Sequence, residues 1–314
     1  MGVIAVVKED CPTCQLVEPV LQELVAAGIV DVIHREDDPD GLETSYRLGI
    51  ETVPTLIKGD ERVVGWERGQ WERFTGVDGL GTGLPDHRPG CGSKTLDPGV
   101  AEELAVRFRG GELRSRRVDI AALEDEAEAM FDRGWTDGLP VVPPTEARVL
   151  KMLEGTTRAP DEVVAVVPPD LVECTVEKVA VNAVLAGCKP EYLPVVLACV
   201  EAACTDEFNM HGLLATTYFS GPVVVVNGPI ARAIGMNSRG NVLGQGNRAN
   251  ATIGRALQLV VRNVGGGKPG GVDRATLGNP GKYTFCFAED EEGSPWTSLA
   301  ESRGVPAGAS AVTL

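Results

Sequence analysis

The chain opens with a pattern of apolar and polar positions that predicts a strand followed by a helix. Residues 2–7 are a short continuous apolar run, which favours a buried strand. Apolar residues then recur at helical spacing, and Gly28 supplies a helix end. The apolar positions of this helix are Leu16, Val20, Leu21 and Leu24. A second strand is predicted at 29–33.

The next part of the pattern predicts a second helix, a hairpin and a closing helix. A short helix is expected over 42–48, ended by Gly49. Strands at 52–57 and 62–66 flank Gly59-Asp60, which is typical of a hairpin turn. A further helix begins in 70–74. The predicted order is therefore βαβαββα within residues 1–76.

A glycine-rich segment with two prolines follows and carries little periodicity. This composition predicts a flexible linker over 77–98, between a domain at 1–76 and a larger domain at 99–314. Cys91 lies in this linker. Two interpretations are open for it: a bystander thiol, or a thiol that meets Cys11 in an intramolecular disulfide.

The larger domain alternates predicted helices with apolar strands, which indicates an α/β layer architecture. Residues 221–229 contain a strongly apolar run typical of a buried parallel strand. The other predicted strands are 163–167 and 283–287. The predicted helices are 100–108, 120–135, one starting at Thr145, 175–185, 191–203 and 249–264.

Length, charge and cysteine content limit the class of protein. A chain of 314 residues is long enough for about two domains. The net charge of −16 argues against binding to nucleic acid or to an anionic membrane surface. The sequence has no apolar stretch of membrane-spanning length and no leader pattern, so we expect a cytoplasmic protein. Its eight cysteines are then expected to be thiols.

The first strand leads into the motif Cys-Pro-Thr-Cys at 11–14. A cysteine at a helix N-terminus is stabilised as a thiolate by free N–H groups and the helix dipole. Cys11 is therefore the expected nucleophile and Cys14 the expected resolving thiol, although the neighbouring Asp10 opposes ionisation. Zinc binding is disfavoured because no second cysteine pair or histidine lies nearby at zinc spacing. A redox-inactive adaptor is the remaining alternative.

Residues 1–76 resemble the thioredoxin/glutaredoxin family. The resemblance rests on the element order and on the motif at 11–14, which is closer to the Cys-Pro-x-Cys of glutaredoxins than to the Cys-Gly-Pro-Cys of thioredoxins. It implies that Val53–Pro54 is the cis-proline bond of the family, lying against the cysteine pair.

In the larger domain the densest polar segment is 237–252, which leads into a predicted helix. Its glycines, asparagines and arginines suit a carboxylate or phosphate site, with Asn247, Arg248, Asn250 and Arg255 as the candidate ligand-binding residues. The alternative is a structural loop in which Asn250 caps the helix. The sequence favours neither.

The candidate catalytic residues of the larger domain are Cys188, Cys286 and His211. Cys188 is predicted at a helix end and Cys286 at a strand end, whereas a lone histidine such as His211 is more often structural. The remaining cysteines, 174, 199 and 204, are typical of small buried apolar residues.

The stretches 138–144, 181–188 and 248–255 resemble uncharacterised proteins associated with the Sec-Gly-Ser-Cys selenoproteins, relatives of glycine/betaine reductase component B. Asn182, in the second stretch, is a further candidate for substrate binding. The resemblance suggests thiol-driven reduction of a small organic substrate.

We therefore expect a thiol–disulfide oxidoreductase that supplies electrons to the second domain. Its expected partners are a small-molecule substrate and an external thiol or thiol reductase. No cofactor or metal is expected, and a homo-oligomer is left open. The alternatives are a thiol-dependent lyase or transferase and a non-catalytic adaptor.

Overall fold

The computed structural model describes residues 2–121 and 124–314. Its chain divides into two compact units, Met1–Phe108 and Arg109–Leu314. Both units combine helices with strands in small sheets, so the α/β class is confirmed at this level. Leu123, one of the apolar positions of the helix predicted at 120–135, lies outside the described residues.

The first unit contains eight strands, four α-helices and a 3-10 helix at Lys94–Leu96 among its described residues. Its strands are β1 (Val3–Val7), β2 (Val30–Arg35), β3 (Thr52–Val53), β4 (Thr55–Lys58), β5 (Glu61–Val64), β6 (Trp66–Glu67), β7 (His87–Arg88) and β8 (Cys91–Gly92). Its helices are α1 (Pro12–Ala26), α2 (Pro39–Arg47), α3 (Arg68–Thr75) and α4 (Val100–Arg109), which ends one residue beyond the unit.

The apolar run at the start of the chain becomes an inner strand of the main sheet, whose order is β2-β1-β4-β5. Strand β1 pairs parallel with β2 and antiparallel with β4. Because both neighbours cover its edges, an almost wholly apolar strand is stable here. Helix α1 packs its buried face on this sheet, and Gly28 follows its end with φ +71°. The core residues include Val6, Val7, Leu21, Leu24, Leu56, Trp66 and Trp71.

The segment predicted to be a linker at 77–98 is instead built into the first unit. Strand β7 pairs with β6, and β8 pairs with β3. Pro85 O accepts a hydrogen bond from Trp66 Nε1 at 2.6 Å. We refer to residues 86–96 as the return segment. The glycines of this segment suggested flexibility, but Gly90 is required for close packing. A Cβ at this position would lie 2.7 Å from Val53 O.

Buried Glu36 fastens the far end of the return segment. Its carboxylate accepts hydrogen bonds from Ser93 Oγ and from Lys94 N, the latter at 2.8 Å. Ser93 N also donates to Glu51 O at 2.9 Å. The folded unit therefore extends to Phe108 rather than ending near residue 76.

The second unit has a helical core and two small sheets. Its helices are α5 (Glu126–Asp132), α6 (Glu146–Leu153), α7 (Val176–Ala186), α8 (Leu193–Ala203), α9 (Met210–Ala215), α10 (Pro229–Ala233), α11 (Arg248–Asn263) and α12 (Leu299–Ser302). Its strands are β9 (Val163–Val167), β10 (Val172–Thr175), β11 (Val224–Asn227), β12 (Cys286–Ala288) and β13 (Ala311–Thr313).

Helix α11 packs against α7 and α8, which are mostly buried. The larger of the two sheets has three strands in the order β12-β11-β13, with β11 parallel to β12 and antiparallel to β13. The parallel partner expected for the strand in 221–229 is therefore present. Strand β9 has the predicted bounds, and it forms a half-exposed antiparallel hairpin with β10. Helix α5 is shorter than the predicted 120–135.

Among the described residues, no helix has both the length and the apolar character needed to cross a membrane.

We predict that Glu36→Ala loosens the return segment. Glu36 is 2% exposed, and its removal leaves the Ser93 hydroxyl and the Lys94 N–H without their acceptor. The expected loss is about 1–3 kcal/mol of unfolding free energy, measured by urea denaturation, with faster hydrogen–deuterium exchange across residues 86–96.

The matched control is Glu43→Ala, which removes a partly buried carboxylate whose i,i+4 partner at 2.7 Å, Arg47, is exposed. We expect this change to cost less than about 0.5 kcal/mol. Equal effects of the two substitutions would contradict the role assigned to Glu36.

Candidate active site

Three cysteines of the first unit converge at the N-terminus of α1. Cys11 Sγ lies 2.8 Å from Cys91 Sγ. Cys14 N donates a hydrogen bond to Cys11 Sγ at 3.2 Å, so the Cys11 side chain is itself the N-cap of the helix. All three cysteines are free thiols. The structure thus brings together the predicted pair and the third cysteine that the sequence left open.

Each cysteine is positioned by backbone structure. Cys11 follows β1 and begins α1, with Pro12 at the first helical position, where a missing N–H is tolerated. Cys91 is paired with Val53 in the β3–β8 ladder. Thr13 Oγ1 donates to Pro89 O at 2.7 Å and ties the helix start to the return segment. The Val53–Pro54 bond is cis, as the resemblance implied.

The three thiols differ in exposure. Cys11 is fully buried at 0% and Cys14 is 2% exposed, whereas Cys91 is only half-buried. The sulfur expected to be the nucleophile is therefore covered, and the more accessible sulfur of the contacting pair belongs to Cys91.

The three thiols also differ in acidity. Burial raises the pKa of Cys11, but hydrogen bonds involving Cys91, Cys14 and Thr13 outweigh it, so the net pKa is lowered. Burial raises the pKa of Cys14 far above its ordinary value, and the neighbouring Cys11 raises it further. The pKa of Cys91 is raised by burial and by its hydrogen bond with Cys11. Cys11 is thus the thiol most readily ionised. The neutral Cys11 Sγ–H donates to Cys91 Sγ at 2.8 Å and to Val53 O at 3.6 Å, and once Cys11 is ionised its thiolate accepts from Cys91 Sγ–H instead.

Asp10 was expected to oppose ionisation of Cys11. Its side chain is 70% exposed, and its carboxylate lies 3.5 Å from Lys8 Nζ. Solvent and the lysine both weaken the effect of this charge on the neighbouring sulfur.

The described residues contain no group of three or more His, Cys, Asp or Glu side chains arranged to hold a metal ion.

The cysteines predicted to react in the second unit are buried. Burial raises the pKa of Cys188 and that of Cys286 to about 12 each. Cys188 Sγ donates to Thr252 O at 3.4 Å. Cys199, predicted to be a core residue, is fully buried, and burial raises its pKa as well. These environments favour the protonated thiol, which is a poor nucleophile.

His211 lies exposed on α9. Within residues 2–121 and 124–314, no hydrogen bond joins it to Cys188 or Cys286. The structure therefore gives no support to a cysteine–histidine pair in the second unit.

The polar segment at 237–252 uses its side chains inside the protein. Asn247, not Asn250, is the N-cap of α11, because its Oδ1 accepts from Asn250 N at 2.9 Å. The buried side chain of Asn250 binds the loop backbone. Its Oδ1 accepts from Asn237 N, and its Nδ2 donates to the carbonyl oxygens of Asn237 and Val242. Arg248 Nε donates to Gly187 O at 2.9 Å. These bonds favour the structural interpretation of the loop.

Arg255 has an internal partner, Asp137, that the sequence pattern did not indicate. The carboxylate of Asp137 accepts hydrogen bonds from Arg255 Nε and from a terminal guanidinium nitrogen of Arg255, each at 2.8 Å. The same guanidinium also donates to Pro140 O at 3.0 Å. Asp137 lies in a turn-rich segment, where aspartate is common because it bonds to the nearby backbone. Its pairing with Arg255, 118 residues away in the chain, is therefore visible only in the structure.

Asn182 borders a cavity of about 720 Å³ within the second unit. Its Oδ1 accepts from Asn263 Nδ2 at 2.9 Å. Asn263 Oδ1 is buried and has no hydrogen-bond partner among the described residues. Asn263 was not predicted, because one asparagine at a helix end gives no signal in sequence. A smaller cavity of about 210 Å³ is lined by Cys188 and Arg248.

We predict that the Asp137–Arg255 pair gives the second unit an acid-dependent stability. Burial raises the pKa of Asp137, but the Arg255 hydrogen bonds and charge outweigh it and lower the net pKa. A lowered folded-state pKa means that the stabilisation is complete above the ordinary carboxyl range and is lost as pH falls through the folded value. Asp137→Asn should lower the free energy of unfolding by about 3 kcal/mol at neutral pH. It should also make that free energy less dependent on pH in the acid range.

Urea denaturation over a pH series measures both effects. Asp206→Asn, at an exposed aspartate, is the control and should leave the pH profile unchanged. An Asp137→Asn protein with wild-type stability at neutral pH would contradict the prediction.

Comparison with models of protein families, with curated proteins and with solved structures finds no match to this chain.

Proposed function

We propose that the protein is a thiol–disulfide oxidoreductase whose nucleophile is Cys11. One observation carries the proposal: Cys11 Sγ accepts the Cys14 N–H at 3.2 Å and contacts Cys91 Sγ at 2.8 Å. A helix N-terminus stabilises a sulfur as the thiolate, and an ionised Cys11 accepts from the Cys14 N–H and from the Cys91 thiol. The thiolate is the reactive form in disulfide exchange.

The surrounding fold supports the resemblance to the thioredoxin/glutaredoxin family. The strand–helix–strand start, the antiparallel strands that follow and the cis bond before Pro54 have the order that the resemblance implies. One feature is additional to that pattern: a third cysteine, Cys91, lies beside Cys11.

In the proposed reaction, the Cys11 thiolate attacks one sulfur of a substrate disulfide and releases the other sulfur as a thiolate. A second cysteine thiolate then attacks Cys11, which forms an intramolecular disulfide and frees the rest of the substrate as a thiol. Two electrons pass from the protein to the substrate. An external thiol or thiol reductase would return the protein to its dithiol form, and a cytoplasmic location would supply such reductants.

Burial of Cys11 limits what can react with it. An approaching disulfide has to enter beside Cys91, or the return segment has to move. This requirement favours a small organic disulfide over a bulky folded protein as the substrate.

For the second unit we propose binding of a small organic molecule in the cavity of about 720 Å³. The unpaired Asn263 Oδ1, held beside Asn182, is a buried acceptor available to a ligand donor. The raised pKa values of Cys188 and Cys286 do not favour a second nucleophile there. The electrons for reduction of a substrate would come from the cysteines of the first unit.

We predict that Cys11→Ser lowers disulfide exchange by about a hundredfold or more, because a serine hydroxyl cannot replace the thiolate. The assay is reduction of a small mixed disulfide by the full-length protein with glutathione as the reductant. Cys204→Ser, at another half-buried cysteine, is the control and should retain wild-type turnover. A Cys11→Ser protein with wild-type turnover would overturn the proposal.

A further inference from the structure

We propose that Cys91 is a third redox-active cysteine, which closes an alternative disulfide with Cys11. The inference rests on the proposed function and adds to it the identity of the resolving thiol. Cys11 would then belong to two mutually exclusive disulfides, one with Cys14 and one with Cys91.

The sulfurs of Cys11 and Cys91 already lie close to bonding distance. The two sulfurs are 2.8 Å apart, and a disulfide bond of ~2.05 Å requires them to approach by less than ~1 Å. Cys91 occupies this position although 80 residues separate it from Cys11 in the chain.

Contacts on both sides of Cys91 in the chain hold it in place. Its strand, β8, pairs with Thr52–Val53. Two residues before Cys91, Pro89 O accepts a hydrogen bond from Thr13 Oγ1 at 2.7 Å. On the other side, Ser93 and Lys94 are bound to the buried carboxylate of Glu36. A thiol with this support reaches its partner without the ordering cost that a mobile linker would have.

Cys91 is more accessible to an external thiol than Cys14 is. Cys14 is 2% exposed, whereas Cys91 is half-buried, so an external thiol meets Cys91 first. In a Cys11–Cys91 disulfide, attack on the Cys91 sulfur expels Cys11. The group that leaves is then the one stabilised by the Cys14 N–H, and a more stable thiolate leaves faster.

The steps balance in atoms and electrons. The Cys91 thiolate attacks the mixed disulfide at Cys11, forms the Cys11–Cys91 bond and releases the substrate thiolate. To restore the dithiol, an external thiolate attacks Cys91 and releases Cys11, and a second external thiolate then attacks the external sulfur and releases Cys91. The two external thiols leave as one disulfide. Alternatively, Cys14 attacks Cys11 and frees Cys91, with no net oxidation.

Tryptic mapping of the full-length protein distinguishes the two disulfides. Cys11 and Cys14 share the peptide 9–35, whereas Cys91 lies in the peptide 74–94, because cleavage does not occur between Arg88 and Pro89. We oxidise the protein with glutathione disulfide, block free thiols and analyse the peptides by mass spectrometry. The expected result is a cross-link between 9–35 and 74–94 in the wild type, which becomes the main species in Cys14→Ser.

Cys11→Ser should lose the cross-link, and Cys204→Ser should keep it. The inference is overturned if wild-type 74–94 is recovered only as a free or glutathione-bound peptide, or if Cys11→Ser keeps the cross-link through Cys14. The wild-type result decides the question even if Cys14→Ser does not fold. Loss of the cross-link with intact exchange at Cys11 would leave the proposed function standing, whereas wild-type exchange in Cys11→Ser would overturn the proposed function itself.

Discussion

The candidate site depends on the hydrogen bonding of one sulfur at the start of a helix. Cys11 Sγ caps α1 by accepting the Cys14 N–H, and it has Cys91 as a second neighbour. Burial by itself would keep this thiol protonated. The helix terminus and the second sulfur lower its pKa instead, so the contacts that begin the helix also favour the thiolate of Cys11.

The return segment makes this arrangement possible. It pairs with two short strands, binds the buried Glu36 and brings Cys91 against the helix start. The first unit is therefore larger than the part that contains the dithiol motif. Its additional residues place a third thiol against the proposed nucleophile Cys11, so the cluster has one more sulfur than the motif.

Local signals predicted most of the first unit. The apolar run of β1, the helical spacing of α1 and the motif at 11–14 each depend on neighbours in sequence, and the structure has these elements. The return segment was missed because a glycine required for close approach, such as Gly90, has the same composition as a flexible linker. In the second unit, polar residues such as Asn250 and Arg255 suggested a ligand, but their partners lie inside the protein. Sequence spacing does not distinguish these cases.

The most direct test of this account is the pH dependence of thiolate ultraviolet absorbance in the wild type minus that in Cys11→Ser. The difference isolates the ionisation linked to Cys11 and does not require a reagent to enter the buried site. The account predicts a transition with a midpoint below 9.0, the ordinary thiol value. A difference curve that rises only at or above that value would contradict the stabilised thiolate on which the proposed chemistry rests.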